Sequence, residues 1–270
     1  MAGRWTEVAD GVFVRRYRFY EQNIVAVVDR GEALLVDTRS TYRQAREILE
    51  DLRAVGAPRI AAVVNTHGHY DHAFGNRVFR PAPVWGHVRA AAMLSPGGGQ
   101  CEAAIRDLPR LADELAEVEL DPPDRVFPGE AEVPVGGRRV RLAFLGRGHT
   151  DNDVVVTVEA ADVLLVGDLL EEGAVPSFAD AYPLDWPATA ERILARTTGR
   201  TVVVPGHGYL GGREFAARQA ADLAAVADLA RRVHAGALDL EAAVAVSPFP
   251  PELSREPIER ALAQLRGELG

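Results

Sequence analysis

Histidine is scarce in this chain of 270 residues, with 7 in all, and three of them sit in the run Thr66-His67-Gly68-His69-Tyr70-Asp71-His72. Two more stand in similar company in Gly146-Arg147-Gly148-His149 and in Pro205-Gly206-His207. Carboxylates follow the same pattern in Gly167-Asp168 and Asp37-Thr38. Imidazole and carboxylate ligands without thiolate suit zinc, with iron or manganese as alternatives. His67, His69, Asp71, His72, His149, Asp168 and His207 are too many for one tetrahedral ion but suffice for two ions sharing a carboxylate. Such a pair polarises a bound water and clamps the attacking and leaving oxygens of a hydrolysis. Imidazoles and carboxylates gathered at one buried edge without a cation would be costly, so a purely structural role for the cluster is disfavoured.

Each of these residues follows an apolar run of strand length: 61–64 before the His67 run, 140–145 before His149, 163–166 before Asp168, 202–204 before His207 and 34–36 before Asp37. Strand ends at one sheet edge lie close together, and the loops there can aim side chains at one point. Strands are expected over 11–20, 23–29, 33–36, 60–64, 83–85, 131–135, 139–145, 154–158, 163–166 and 201–204. Helices are expected over 41–55, 88–94, 101–117, 187–195 and 213–233, with two shorter helical segments after Ala237. Ser95-Pro96-Gly97-Gly98-Gly99 marks a mobile loop or insertion, not a domain boundary. The pattern predicts one α/β or α+β domain over residues 1–270, its sheets covered by helices, with a helical tail from about residue 211.

The run His67-Gly68-His69-Tyr70-Asp71-His72 resembles the His-x-His-x-Asp-His signature of the metallo-β-lactamase superfamily. Gly148-His149-Thr150, Gly167-Asp168 and Pro205-Gly206-His207-Gly208 match its remaining metal motifs in order. The resemblance implies a four-layer αββα sandwich with the metals at one edge of its two sheets. It assigns His67, His69 and His149 to a first zinc, Asp71, His72 and His207 to a second, and Asp168 to both. A bridging hydroxide would be the nucleophile, with Asp71 orienting it or accepting its proton. Asp37 resembles the family's outer carboxylate, which holds a ligand histidine in one tautomer.

Function within such a family must come from the site. His69 argues against the flavin-linked di-iron oxidases, which usually carry an acidic residue there. Zinc β-lactamases typically have a cysteine where Asp168 stands and are exported, which argues against dedicated antibiotic resistance. The family's nucleases add a large insert or an RNA-binding arm, for which this length and acidity leave little room. Hydrolysis of a small-molecule ester, thioester, lactone or amide remains. The loop His149-Thr150-Asp151-Asn152-Asp153 departs from the commoner His-Thr-Pro-Gly-Ser, and no basic cluster near the C-terminus is present to hold glutathione. Both features argue against a glyoxalase II-like thioester hydrolase. The alternatives are a mononuclear iron persulfide dioxygenase of the same superfamily and a binding module that keeps metal without turnover.

Composition agrees with a soluble enzyme. Hydrophobic residues at 47% and charged residues at 26% allow a sizeable core. A net charge of -9 gives no general grip on nucleic acid. Cys101 is the one cysteine, which excludes an intrachain disulfide, fits a reducing compartment and otherwise suggests an inert thiol. The segment 1–10 has no signal pattern and the apolar runs are strand-sized, so a cytoplasmic chain outside the membrane is expected. His234 is expected in a structural role, as is His87 at a helix start, although His87 is also a candidate for the pocket wall. Tyr70 either points into the cleft or packs. Pro176, Phe178, Tyr182 and Trp186 are candidates for a pocket wall, with core packing the expected outcome. Arg147 is expected as a solvated loop residue in preference to a carboxylate binder, and Glu171-Glu172 is expected to face water. The Ala-rich helix after Arg213 should cover the body or join two copies as a homodimer.

Overall fold

In the computed structural model, which describes residues 4–56 and 58–269, alternating residues of the early strands part to opposite faces. Val12, Val14, Val25, Val27, Leu34 and Val36 meet Val140, Leu142, Val154, Val156 and Leu165 of the later strands. Ile24, Ala26 and Leu35 point the other way, against Ala45, Ile48 and Leu52 of a helix. Met1–Gly3, at the head of the segment read above for a signal pattern, lie outside the described residues.

The first sheet sets β1 (Thr6–Ala9), β2 (Val12–Tyr17), β3 (Gln22–Asp29), β4 (Glu32–Val36), β5 (Arg59–Val64), β6 (Val84–His87) and β7 (Arg125–Phe127) side by side in that order. The second does the same with β8 (Glu130–Val135), β9 (Arg138–Phe144), β10 (Val154–Val158), β11 (Val163–Gly167) and β12 (Val202–Pro205). Strands β1 to β4 are antiparallel and β4 to β7 parallel. Strands β8 to β11 are antiparallel, and β12 runs parallel to β11.

The helices are α1 (Tyr42–Leu52), α2 (Tyr70–Ala73), α3 (Val88–Met93), α4 (Gln100–Asp107), α5 (Ala112–Ala116), α6 (Trp186–Leu194), α7 (Arg213–His234), α8 (Leu240–Ala245) and α9 (Pro251–Leu265). Thr41 caps α1 by accepting from the Gln44 amide, an interaction worth about 1 kcal/mol. The Ile48 face of α1 covers the first sheet, while Trp186 and Ile193 of α6 and Phe215 and Leu223 of α7 cover the second. The layers are therefore helix, sheet, sheet, helix, the expected αββα sandwich. The rest of α7 turns Val226, Leu229 and Ala230 toward Ala243 of α8 and Ile258, Ala261 and Leu262 of α9, which makes a small core of the tail.

Two expectations need correction, and two strands went unforeseen. The strand expected over 11–20 ends at Tyr17, because Tyr20 and Glu21 take left-handed φ values of 59 and 49 and turn the chain. The helix expected over 101–117 is two helices, because Pro109 lacks the amide proton that would continue α4. Strands β1 and β7, at the two edges of the first sheet, are too short to show a pattern. Among the described residues no helix is long and apolar enough to cross a membrane.

Candidate metal centre

Strand direction decides where the motifs meet. β4 and β5 are parallel, so Asp37 and the His67 run leave the first sheet at the same edge. β9 and β11 both oppose β10, and β12 follows β11, so His149, Asp168 and His207 leave the second sheet at one edge too. The two edges are tied together. Asn23 donates its amide to Gly206 O (2.7 Å) and its side chain to Pro205 O (3.0 Å), and the Gly68 amide donates to Asn152 Oδ1 (2.9 Å). Gly206 must be glycine, since a Cβ there would collide with Asp168 Oδ1.

The ties bring seven ligand-type atoms together. His69 Nδ1 lies 2.9 Å from His67 Nε2 and 3.0 Å from His149 Nε2. His72 Nε2 and His207 Nε2 lie 3.1 Å apart, and Asp71 Oδ2 is 3.3 and 3.1 Å from them. Between the two sets, Asp168 Oδ2 is 3.7 Å from His67, 3.6 Å from His149, 3.3 Å from His72 and 3.5 Å from His207. A tetrahedral ion with bonds near 2.0–2.1 Å holds its ligand atoms about 3.4 Å apart, which matches this spacing.

The outward ring nitrogens show which atoms carry protons. His72 Nδ1 donates to Asp37 Oδ2 (2.8 Å), His69 Nε2 to Asp180 Oδ2 (2.9 Å), His207 Nδ1 to Tyr20 O (2.7 Å) and His149 Nδ1 to Ser177 O (3.2 Å). The Thr66 hydroxyl gives its proton to Asp37 Oδ2 (2.8 Å) and so accepts from His67 Nδ1 (3.2 Å). With every outward nitrogen donating, each of the five inward nitrogens presents a lone pair wherever its imidazole is neutral. Lone pairs at 2.9–3.1 Å repel unless a cation lies among them. The residues fit a metal cage, and the outer acceptors orient its ligands.

Charge tells the same story. Burial works against ionised carboxylates here, yet the His72 and His207 rings hold Asp168 and Asp71 well below the usual carboxylate range. In return, and against burial, Asp168 and Asp71 hold His72 well above its ordinary value and push His207 up to about 10. The carboxylates call for positive charge, which metal ions bound there would provide in place of protons on the inward nitrogens.

The family described as "Metallo-beta-lactamase superfamily" matches residues 17–207. The chain belongs to it. A Metallo-beta-lactamase type 2 of Bacillus cereus is 26% identical over 184 residues, which are 67% of this chain and 64% of that relative. A Hydroxyacylglutathione hydrolase of Gloeobacter violaceus is 27% identical over 223 residues, 82% of this chain and 78% of the relative. The solved structure of a Metallo-beta-lactamase from Pontibacter korlensis shares the fold, with a TM-score of 0.65 at 21% identity over 82% of this chain and 99% of that one.

Against this metallo-β-lactamase frame, the remaining sequence candidates sort clearly. Over the ligands opens a cleft of about 930 Å³, and Tyr70 lines it with its hydroxyl 3.2 Å from that of Tyr20. His87 is buried instead, stacked on Phe144 and hydrogen-bonded to Pro128 O (3.2 Å), so it is a structural cap. Phe178 and Trp186 are core residues, with Trp186 Nε1 donating to Leu169 O (3.0 Å). The wall of the cleft comes from their small or polar neighbours Ser177, Ala179 and Asp180. Arg147 pairs with Asp185 (2.6 Å) and lies over Tyr182, outside the cleft lining. His234 is exposed at the end of α7, and Cys101 is half-buried, its thiol pushed up by burial.

One expectation fails: Glu171 and Glu172 do not both face open water. Glu172 pairs with Arg218 (3.2 Å), and Glu171 lines the cleft beside the ligands. Sequence reasoning also missed Asp180 and the carbonyls of Tyr20 and Ser177, which no motif marks, and gave no role to Thr66 at the head of the His67 run. The departure at 149–153 has a local purpose. Asn152 braces the Gly68 amide, and Asp153 accepts from the amide and hydroxyl of Thr150 (2.7 and 2.8 Å).

Proposed function

We propose that this protein is a metal-dependent hydrolase that holds two zinc ions and cleaves an ester, thioester, lactone or amide bond in a small molecule. The observation that carries this reading is the shared atom Asp168 Oδ2, flanked on each side by its own set of inward-facing ligand atoms. His67, His69 and His149 would hold one ion and Asp71, His72 and His207 the other. Bound there, the ions supply a water of lowered pKa and a Lewis-acid contact to the carbonyl oxygen. Asp71 orients the attacking water or takes its proton. Gln22 supports this by donating to the Asp71 carbonyl (2.5 Å), which holds the residue's backbone in place.

The relatives include a Metallo-beta-lactamase type 2 and a Hydroxyacylglutathione hydrolase by name, and this chain keeps an aspartate at position 168. The rebuilt 149–153 loop still holds His149 in the cage, so its departure from the common form does not count against hydrolysis. Cys101, single and half-buried, supports a reducing compartment such as the cytoplasm.

Metal analysis and a substrate panel test the proposal together. About two zinc per chain is expected, with chelator-sensitive hydrolysis of at least one lactone, thioester, ester or amide. One iron per chain with oxygen consumption on glutathione persulfide would replace it with the dioxygenase reading. Metal binding without turnover on any substrate would favour a binding module.

A further inference from the structure

Among the described residues, charges along the cleft pair off with one exception. Arg16 binds Glu21 (2.6 Å) and lies 4.1 Å over the Tyr209 ring, Arg106 binds Asp107 (2.9 Å), and Glu172 binds Arg218 (3.2 Å). Asp71, Asp168 and Asp180 face the ligand imidazoles. Glu171 is left with a hydrogen bond from the Ser177 backbone and, among the described residues, no ion pair. The chain contains no lysine that might reach it.

The metal ions do not remove this surplus. Asp37, Asp71, Asp168 and Asp180 already surround the cage and match the charge of two divalent ions. We infer that Glu171 makes the cleft selective for substrates that carry a positively charged group, such as a primary or quaternary ammonium, near the scissile bond. The inference rests on the hydrolase reading above and narrows its substrate class.

Three observations support it. Glu171 lines the cleft together with Asp71, Asp168 and His207. Among the described residues it has no counter-charge in the cleft. A cationic group seated beside it would favour the ionised form. Tyr20, at the same mouth, sets its ring 6.2 Å from that of His207 and is 40% exposed, and such a ring also attracts an ammonium. An anionic substrate would meet Glu171 with, among the described residues, no unpaired arginine lining the cleft to offset it.

The test compares p-nitrophenyl esters on the zinc-loaded protein, with acyl chains of equal length ending in trimethylammonium, tert-butyl or carboxylate. For the ammonium ester, kcat/KM should exceed that of the tert-butyl ester about tenfold, with the carboxylate ester below both. Glu171→Gln should bring the ammonium to tert-butyl ratio close to one, and Glu171→Arg should favour the carboxylate ester. The ratio is internal to each protein, so a loss of folded enzyme does not alter it. A ratio near one in the wild type, or the same ratio in wild type and Glu171→Gln, overturns the inference. Calorimetric binding of choline, expected to weaken about tenfold in Glu171→Gln, separates the two readings. Choline binding that depends on Glu171 with no ester cleaved would sink hydrolysis and keep the cation preference. Cleavage without charge preference would do the reverse.

Discussion

The two ligand sets share Asp168 but are held by different parts of the molecule. In the set of Asp71, His72 and His207, His72 is backed by Asp37, whose side chain is 2% exposed at the end of β4 and which also receives the amide and hydroxyl of Thr66, while His207 rests on the Tyr20 carbonyl. His67, His69 and His149 rest on the Thr66 hydroxyl, on the Ser177 carbonyl and on Asp180, whose side chain is 41% exposed in the loop that walls the cleft. One set is anchored to strand ends and a buried carboxylate; the other depends on a partly solvated loop. Charge-assisted hydrogen bonds are stronger where water is excluded, so the second set should be the stiffer and tighter of the two.

Substitutions can break or sharpen that contrast. Asp168→Ala removes the atom common to both sets, and both ions and turnover should be lost together, by more than the roughly 100-fold typical of outer-sphere changes. Metal content and kcat/KM measure it; an active protein with one ion would mean that the sets are independent. Asp37→Asn keeps a residue that tolerates the left-handed φ of 66 but withdraws one acceptor oxygen. In a chelator-competition titration, one of two binding steps should weaken by roughly 100-fold, with the other little changed.

Asp180→Asn should act on the opposite set and more weakly, by about tenfold, because solvent already screens its carboxylate. Equal losses for Asp37→Asn and Asp180→Asn would erase the distinction. The smallest effect concerns the loop that carries His149. Burial pushes the Asp153 carboxyl from 3.8 up to about 7, so between those values the folded chain holds a proton that the unfolded chain has released. Its stabilisation is full below the lower value and is lost as pH rises through the upper one. Asp153→Asn should flatten that slope in Tm against pH, read on the metal-stripped protein.

The candidate ligands that the fold gathers at one edge were legible in the sequence as strand-end residues, and for a physical reason. An ion needs lone pairs from several strand ends, and each strand end announces itself locally as an apolar run closed by glycine, as in Gly148-His149 and Gly167-Asp168. Asp37 was visible on the same ground. The break at Pro109 was also visible, since a proline inside a helical pattern removes a backbone donor, yet it was read through as one helix. The carbonyl that orients His207 comes from Tyr20, 187 positions earlier, and the carboxylate that orients His69 is 111 positions later. No local pattern marks either.

Glu171 and Glu172 make the limit plainest. They are neighbours of one type that both line the cleft, and nothing in their spacing says that Arg218 of α7 pairs with Glu172 and not with Glu171. The kinds of ligand, their order and the sheet edge they share were written in residue type and in short-range pattern. Tautomers, outer acceptors and the one carboxylate left without a partner were decided by the tertiary structure. Those properties depend on distances between segments far apart in the chain, and only the packing of two sheets and the paths of their loops determines such distances.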